Sequence, residues 1–315
     1  MKRAWLVWMW LAPACGGSSD KSEPTSDAPD PSETESVTDD SGDGDPADGT
    51  DPAGLVLEPG VNELTIDQVV EGETVQRSYL VHVPSDYDGS TSESTPLLFA
   101  FHGADGEGSD FLTPLEPAIE GHAFIGVYPD GIANSWNVER EESTADDVAF
   151  AASILDALDG TAGIDIERPV GVGFSNGSGL LLKIAMETDL FVAIVPQSSQ
   201  LMVDAQPPAS AARVSVMQFH GTDDPICPYD GGTGILGYNY LPAEESAAVW
   251  AAHNGCDETA IETAIDPHVR MEWPNCADDR RVIHYRLNGV EHSVPPDVDG
   301  PTTARIVEFL LEARQ

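Results

Sequence analysis

Gly173-Phe174-Ser175-Asn176-Gly177 closes one apolar run, Val170-Gly171-Val172, and precedes another, Leu180-Leu181-Leu182. The order is that of a strand, a sharp turn and a helix, with a serine at the apex of the turn and a glycine at either end. A turn this tight forces the serine into a strained backbone conformation, so its close neighbours must lack bulk, and Gly173 and Gly177 meet that need. The serine oxygen then stands above the sheet while the next helix points its positive end at the same place, which suits a nucleophile beside an oxyanion site. A Gly/Ser-rich loop has the same composition. The rest of the chain must therefore supply an acid and a histidine in the order that this architecture demands.

The surrounding pattern predicts such a sheet. Val75 to Val83 alternates like a strand, and Leu97-Leu98-Phe99-Ala100-Phe101 is a continuous apolar run of the kind buried on both faces. Further strands are expected at Phe124–Tyr128, Phe191–Val195, Val214–Phe219 and Val282–Leu287. Helical spacing runs over 146–158, about 177–187, 244–254 and 302–313. Strands alternating with helices give an α/β fold, a mostly parallel sheet covered on both faces, with ligand sites at the carboxyl ends of its strands.

Three further segments fall at such ends. His220-Gly221-Thr222-Asp223-Asp224-Pro225 follows the strand ending at Phe219, and either Asp223 or Asp224 is the carboxylate that orients a histidine. Taken alone, Asp-Asp-Pro is also an ordinary solvated turn. Of eight histidines, His292 lies after the last strand and before the last helix, where a general base is expected; His268 and His284 are rivals, and His284 sits inside a strand. His102-Gly103-Ala104 follows the first core strand. Its place there makes Ala104 the second oxyanion donor beside the backbone N–H of Asn176. No metal-ligand spacing and no phosphate-binding glycine loop occurs, so neither metal nor cofactor is expected.

The 315 residues carry a formal charge of −41, of which residues 1–15 contribute +2 and residues 16–53 contribute −11, leaving −32 on 54–315. Such a surface argues against nucleic acid and anionic membrane as partners and suits neutral polymers; a saline habitat would account for it equally. Met1-Lys2-Arg3, the apolar stretch Ala4 to Ala12 and the small residues before Cys15 read as an export signal too short to span a bilayer. Cys15 resembles the lipidated cysteine of a bacterial lipobox, although Ala12 stands where leucine is usual. Ordinary secretion is the alternative. Residues 16–53 hold 12 acidic residues and one lysine with almost nothing large to bury, the composition of a disordered tether. The organisation expected is thus a signal over 1–15, a tether over 16–53 and one catalytic domain over 54–315. Export permits a disulfide, and Cys256 with Cys276 is the preferred pair, leaving Cys227 as a buried thiol.

These motifs together resemble the secreted esterases called polyhydroxybutyrate depolymerase-like, feruloyl esterase and acetylxylan esterase, members of the α/β-hydrolase fold. The resemblance spans about Arg77 to Pro295 and includes Arg77-Ser78-Tyr79, His102-Gly103, Tyr128-Pro129-Asp130-Gly131, Trp136-Asn137, Asp146-Asp147, Phe174-Ser175-Asn176-Gly177, His220 to Pro225, Asn254-Gly255-Cys256 and His292. It implies Ser175 as nucleophile, His292 as base and, of the two aspartates, Asp224 as acid. Two departures stand out: Ser178 replaces a frequent third glycine, and Val294 stands near the base where the family has tryptophan. The function implied is an exported serine ester hydrolase acting on aryl or acetyl esters of polysaccharide, with a polyhydroxyalkanoate as the alternative substrate. It would be a monomer that meets a membrane only through its N-terminal lipid, at the cell surface or outer membrane, or would be released outside the cell. A ligand-binding lipoprotein on an inactive scaffold would require a missing triad residue, and all three positions are filled.

Overall fold

A computed structural model of the chain describes residues 54–90, 94–298 and 300–315. The export signal, Cys15 and the tether lie outside the described residues. In chain order the elements are β1 (Gly60–Val70), β2 (Glu73–Val83), β3 (Thr95–Phe101), α1 (Leu112–Glu120), β4 (Ile125–Pro129), α2 (Asp147–Leu158), β5 (Ile164–Phe174), α3 (Asn176–Glu187), β6 (Ala193–Gln197), β7 (Ser215–Gly221), β8 (Gly232–Thr233), β9 (Asn239–Tyr240), α4 (Ala243–His253), β10 (Ile261–Ile265), β11 (His268–Trp273), β12 (Val282–Leu287) and α5 (Thr302–Glu312).

Ten of these strands form one sheet in the order β1-β2-β4-β3-β5-β6-β7-β12-β11-β10. The central run from β4 to β12 is parallel, and antiparallel pairs flank it on both sides. Period-two side-chain alternation explains why the centre is apolar throughout. Along β3, Leu97, Phe99 and Phe101 join the core under α2, α3 and α4, while Leu98 and Ala100 join the core under α1 and α5. The flanking strands face solvent in part. Among the residues of β1, every second one is exposed, and β10 is exposed along nearly its whole length.

The expected fold is present, and several elements go beyond the sequence reading. β1 joins β2 through a two-residue turn, Glu71-Gly72, both with positive φ. The β10–β11 hairpin and α1 are also additional, and α1 carries Pro117 in its interior. Cys256 and Cys276 form a disulfide that closes a separation of 20 residues around this hairpin, and Cys227 is a buried free thiol. Because β3, β5, β7 and β12 run parallel, the loops that follow them share one end of the sheet.

Candidate active site

Ser175 sits between β5 and α3 with φ 52° and ψ −118°, a conformation that non-glycine residues rarely adopt. The neighbouring glycines make the turn possible. A Cβ on Gly173 would lie 2.6 Å from the carbonyl oxygen of Gly177, and one on Gly177 would lie 2.2 Å from that of Phe101. The turn is also pinned by hydrogen bonds: the Ser175 N–H donates to the Gln197 carbonyl (2.9 Å) and the Gly179 N–H to the Ser175 carbonyl (3.1 Å). Ser178, in place of the usual third glycine, is fully buried; its hydroxyl lies 2.7 Å from the Gly173 carbonyl and 2.8 Å from both the carbonyl and the N–H of Gln197. It locks the elbow to β6, which a glycine could not do.

His292 Nε2 lies 2.8 Å from Ser175 Oγ, and His292 Nδ1 lies 2.8 Å from Asp224 Oδ2. With Nδ1–H donating to the carboxylate, Nε2 is left as an acceptor for the serine hydroxyl. Asp224 is buried, whereas Asp223 is exposed and accepts from its neighbour Thr222. The Asp224 carboxylate is saturated: Oδ1 accepts from the N–H groups of Ile226 (2.8 Å) and Cys227 (2.9 Å), and Oδ2 is shared by His292 and His220 Nε2, 3.2 Å away. Burial alone would raise its pKa, but hydrogen bonds from His220, His292 and the Cys227 amide outweigh burial and hold the carboxyl well below the ordinary carboxylate range. His220 was absent from the sequence expectations for this site. The two rival histidines are elsewhere: His268 begins β11, and His284 is fully buried in β12 between Gln218 and Tyr229.

The loop that carries His292 is held against β7. A Cβ on Gly221 would meet the Val290 carbonyl oxygen at 2.1 Å, so glycine is required there. Asp223 N–H donates to the Val290 carbonyl (3.0 Å), Gly289 N–H to Thr222 Oγ1 (2.9 Å), and Ser198 Oγ to the Ser293 carbonyl (2.7 Å).

Ser175, Asn176 and Ala104 line one cavity of about 160 Å³, with walls from Val138, Leu182, Met186, Leu201, Met202 and Tyr240. Carboxylates of Glu139, Glu141 and Glu187 also border it, with Lys183 among them. Cys227 faces the same cavity; burial pushes its thiol up to about 11, so it stays uncharged at neutral pH. Among the described residues, no group of three His, Cys, Asp or Glu side chains is placed to hold a metal ion.

No family model matches the chain. The curated proteins it resembles include one named "Putative esterase NocK" from Nocardia uniformis subsp. tsuyamanensis, 28% identical over 284 residues that cover 77% of this chain and 81% of that protein. The feruloyl esterase C of Emericella nidulans is 26% identical, covering 70% of this chain and 81% of its own length. The feruloyl esterase B of Piromyces equi is 25% identical over 69% of this chain, which spans 42% of that longer protein. Among solved structures, an acetyl xylan esterase from Aspergillus awamori shares the fold with a TM-score of 0.55 at 14% identity, over 79% of this chain and 98% of that one. The chain has the α/β-hydrolase fold that it shares with solved esterases, and its similarity to curated proteins named as esterases supports a carboxylic ester hydrolase.

Proposed function

We propose that Ser175, His292 and Asp224 are the catalytic triad of an exported esterase that releases short acyl or aryl groups from neutral polysaccharide. The observation that carries the chemistry is the unbroken hydrogen-bond chain from Ser175 Oγ through His292 to Asp224, with Ser175 lining a largely apolar cavity. Ser175 Oγ attacks the ester carbonyl carbon as His292 Nε2 takes its proton, and Asp224 stabilises the imidazolium. The carbonyl oxygen becomes an oxyanion that accepts hydrogen bonds from the backbone N–H groups of Asn176 and Ala104. Collapse expels the alcohol, protonated by His292. A water then attacks the acyl-enzyme with His292 again as base, releasing the acid and regenerating Ser175.

The names of the feruloyl esterase relatives support the substrate class, as does a cavity walled by aliphatic side chains and Tyr240. The charge of −32 on residues 54–315, what is left of −41 after +2 and −11 from the segments before it, disfavours adsorption to an anionic surface. Export rests on the signal-like residues 1–15, with Cys15 as the site of lipidation. A polyester substrate is the second reading. It is favoured by the exposed side chains of Ile235 and Leu236, which line the cavity, and of Val294, two residues after His292, apolar surface that a hydrophobic polymer would cover.

The test compares acid release from feruloylated and acetylated xylan with clearing of polyhydroxybutyrate granules, using the parent and Ser175→Ala. Release from xylan that vanishes in the alanine variant supports the proposal. Granule clearing without ferulate or acetate release overturns the substrate class, and retained turnover in Ser175→Ala overturns the triad.

A further inference from the structure

With Ser175 as the nucleophile proposed above, we propose that Trp136 is the positioning residue that ties the two donor segments of the oxyanion hole to one another. Those segments come from different parts of the chain: Ala104 follows β3 and Asn176 opens α3. Oxyanion stabilisation depends on donors already held in place before charge develops, so something must fix their spacing.

Trp136 touches both. Toward Asn176, the Trp136 N–H donates to Asn176 Oδ1 (2.7 Å), and the Asn176 Nδ2 group donates back to the Trp136 carbonyl (3.0 Å). The remaining capacity of that side-chain amide is taken by Ser135 Oγ, which donates to Oδ1 (3.2 Å), and by Glu141 Oε1, which accepts from Nδ2 (3.1 Å). All four hydrogen-bonding positions of the amide are thus used, and its flip state follows from them. Toward the other segment, the fully buried indole donates from Nε1 to the His102 carbonyl (2.8 Å), and its ring lies 4.7 Å from the His102 ring. Ala104 is bracketed by that bond on one side and by the Asp105 N–H, which donates to the Asn134 carbonyl (2.8 Å), on the other.

His102 contributes a second link. Its Nδ1 donates to the Gly103 carbonyl (2.7 Å), and its Nε2 accepts from the Gly131 N–H (3.0 Å), which requires the neutral ring. The Trp136 loop is itself braced from beneath. The buried Arg77–Asp147 pair (2.7 Å) uses its other carboxylate oxygen to accept from the Asn137 N–H (2.7 Å), and Arg77 donates to the Asp130 carbonyl (3.1 Å). Arg77, the Pro129-Asp130-Gly131 turn, Trp136-Asn137 and Asp147 thereby converge on one task.

Trp136→Phe keeps an aromatic ring but deletes the indole N–H together with the five-membered half of the bicycle; Asn176→Ala keeps the peptide N–H of the hole and deletes the amide that Trp136 grips. In each, kcat for p-nitrophenyl acetate is expected to fall by about 10- to 100-fold with KM within about threefold. Inhibition by a trifluoromethyl ketone, whose adduct carries the oxyanion, should weaken by the same factor. The double variant should lose little more than the worse single one, because each breaks the same bridge at one of its two ends, the first at His102 and the second at Asn176. Ile306→Val, a truncation on α5 in the core on the other face of the sheet from Trp136, serves as the stability control and should lower Tm without lowering kcat. Parent-like kcat in both single variants overturns the proposal, and so does a loss expressed in KM alone or matched by the control at equal Tm. Labelling with a p-nitrophenyl phosphonate separates the two levels. A parent not labelled on Ser175 overturns the triad and the bridge together, whereas a labelled parent with fully active variants overturns the bridge alone.

Discussion

Asp224→Asn isolates the role of a single oxygen. In the parent, Oδ1 accepts two backbone N–H bonds, and Oδ2 accepts from His292 Nδ1–H and lies 3.2 Å from His220 Nε2. The asparagine oxygen must stay with the Ile226 and Cys227 amides, which can only donate, so the new NH₂ faces His292 Nδ1. That nitrogen then becomes an acceptor and the proton moves to Nε2, which can no longer receive the proton of Ser175. A wrong-tautomer triad typically loses about 10⁴ in kcat, or roughly 5.5 kcal/mol of barrier at about 1.36 kcal/mol per decade. The NH₂ also opposes the buried His220 Nε2, which donates to the Cys227 carbonyl at 2.9 Å, so a stability loss of about 1–3 kcal/mol accompanies the kinetic one. Asp223→Asn, on an exposed side chain, should change neither quantity beyond about 0.5 kcal/mol. Steady-state turnover of p-nitrophenyl acetate, read beside urea unfolding of each variant, makes the comparison. An Asp224→Asn enzyme within tenfold of the parent, or a larger loss in Asp223→Asn, refutes the reasoning.

Gly177→Ala should abolish both activity and soluble expression at 37 °C, because its Cβ would lie 2.2 Å from the Phe101 carbonyl oxygen and 2.4 Å from that of His102, backbone atoms that cannot yield locally; a soluble, active variant counts against the elbow packing. His284 is held neutral by burial first and by the nearby His220 and Arg286, with its pKa lowered from 6.5 to about 3, while Tyr229 and Gln218 complete its surroundings and Glu244 lies beyond Tyr229. A depressed folded-state pKa contributes stability that is full above the unfolded value and fades as pH falls toward the folded one. Urea midpoints should therefore drop between about pH 7 and pH 4, and less steeply in His284→Gln; parallel pH profiles would contradict this. Removing the disulfide with Cys256→Ser should cost about 3 kcal/mol in the chain-entropy model and leave kcat unchanged, since the bond lies at the β10–β11 hairpin and lines no part of the cavity; unchanged unfolding midpoints would show otherwise.

The parallel centre of the sheet was legible because burial on both faces leaves short continuous apolar runs, as in Leu97 to Phe101 and Phe191 to Val195. β10 was not, because Ile261-Glu262-Thr263-Ala264-Ile265 lies almost wholly in solvent and its pairing comes from the backbone. α1 was hidden by Pro117, which breaks the usual helical signal while α1 still buries Leu115 and Ile119. At the site, the chain order of Ser175, Asp224 and His292 could be read directly, because a parallel sheet sends each strand's following loop to the same end. The choice between Asp223 and Asp224 could not be made from spacing: adjacent residues on a turn point apart, and only packing against β7 and the His292 loop buries one and leaves the other in water. The same holds for His220 behind the acid, and for Trp136 between Asn176 and His102, separated from them by 40 and 34 positions. Local sequence determines which residues can turn, which can be buried and in what order they arrive. Which donor meets which acceptor across such separations is decided only when the sheet closes, because hydrogen bonds act over about 3 Å and carry no trace in the linear pattern.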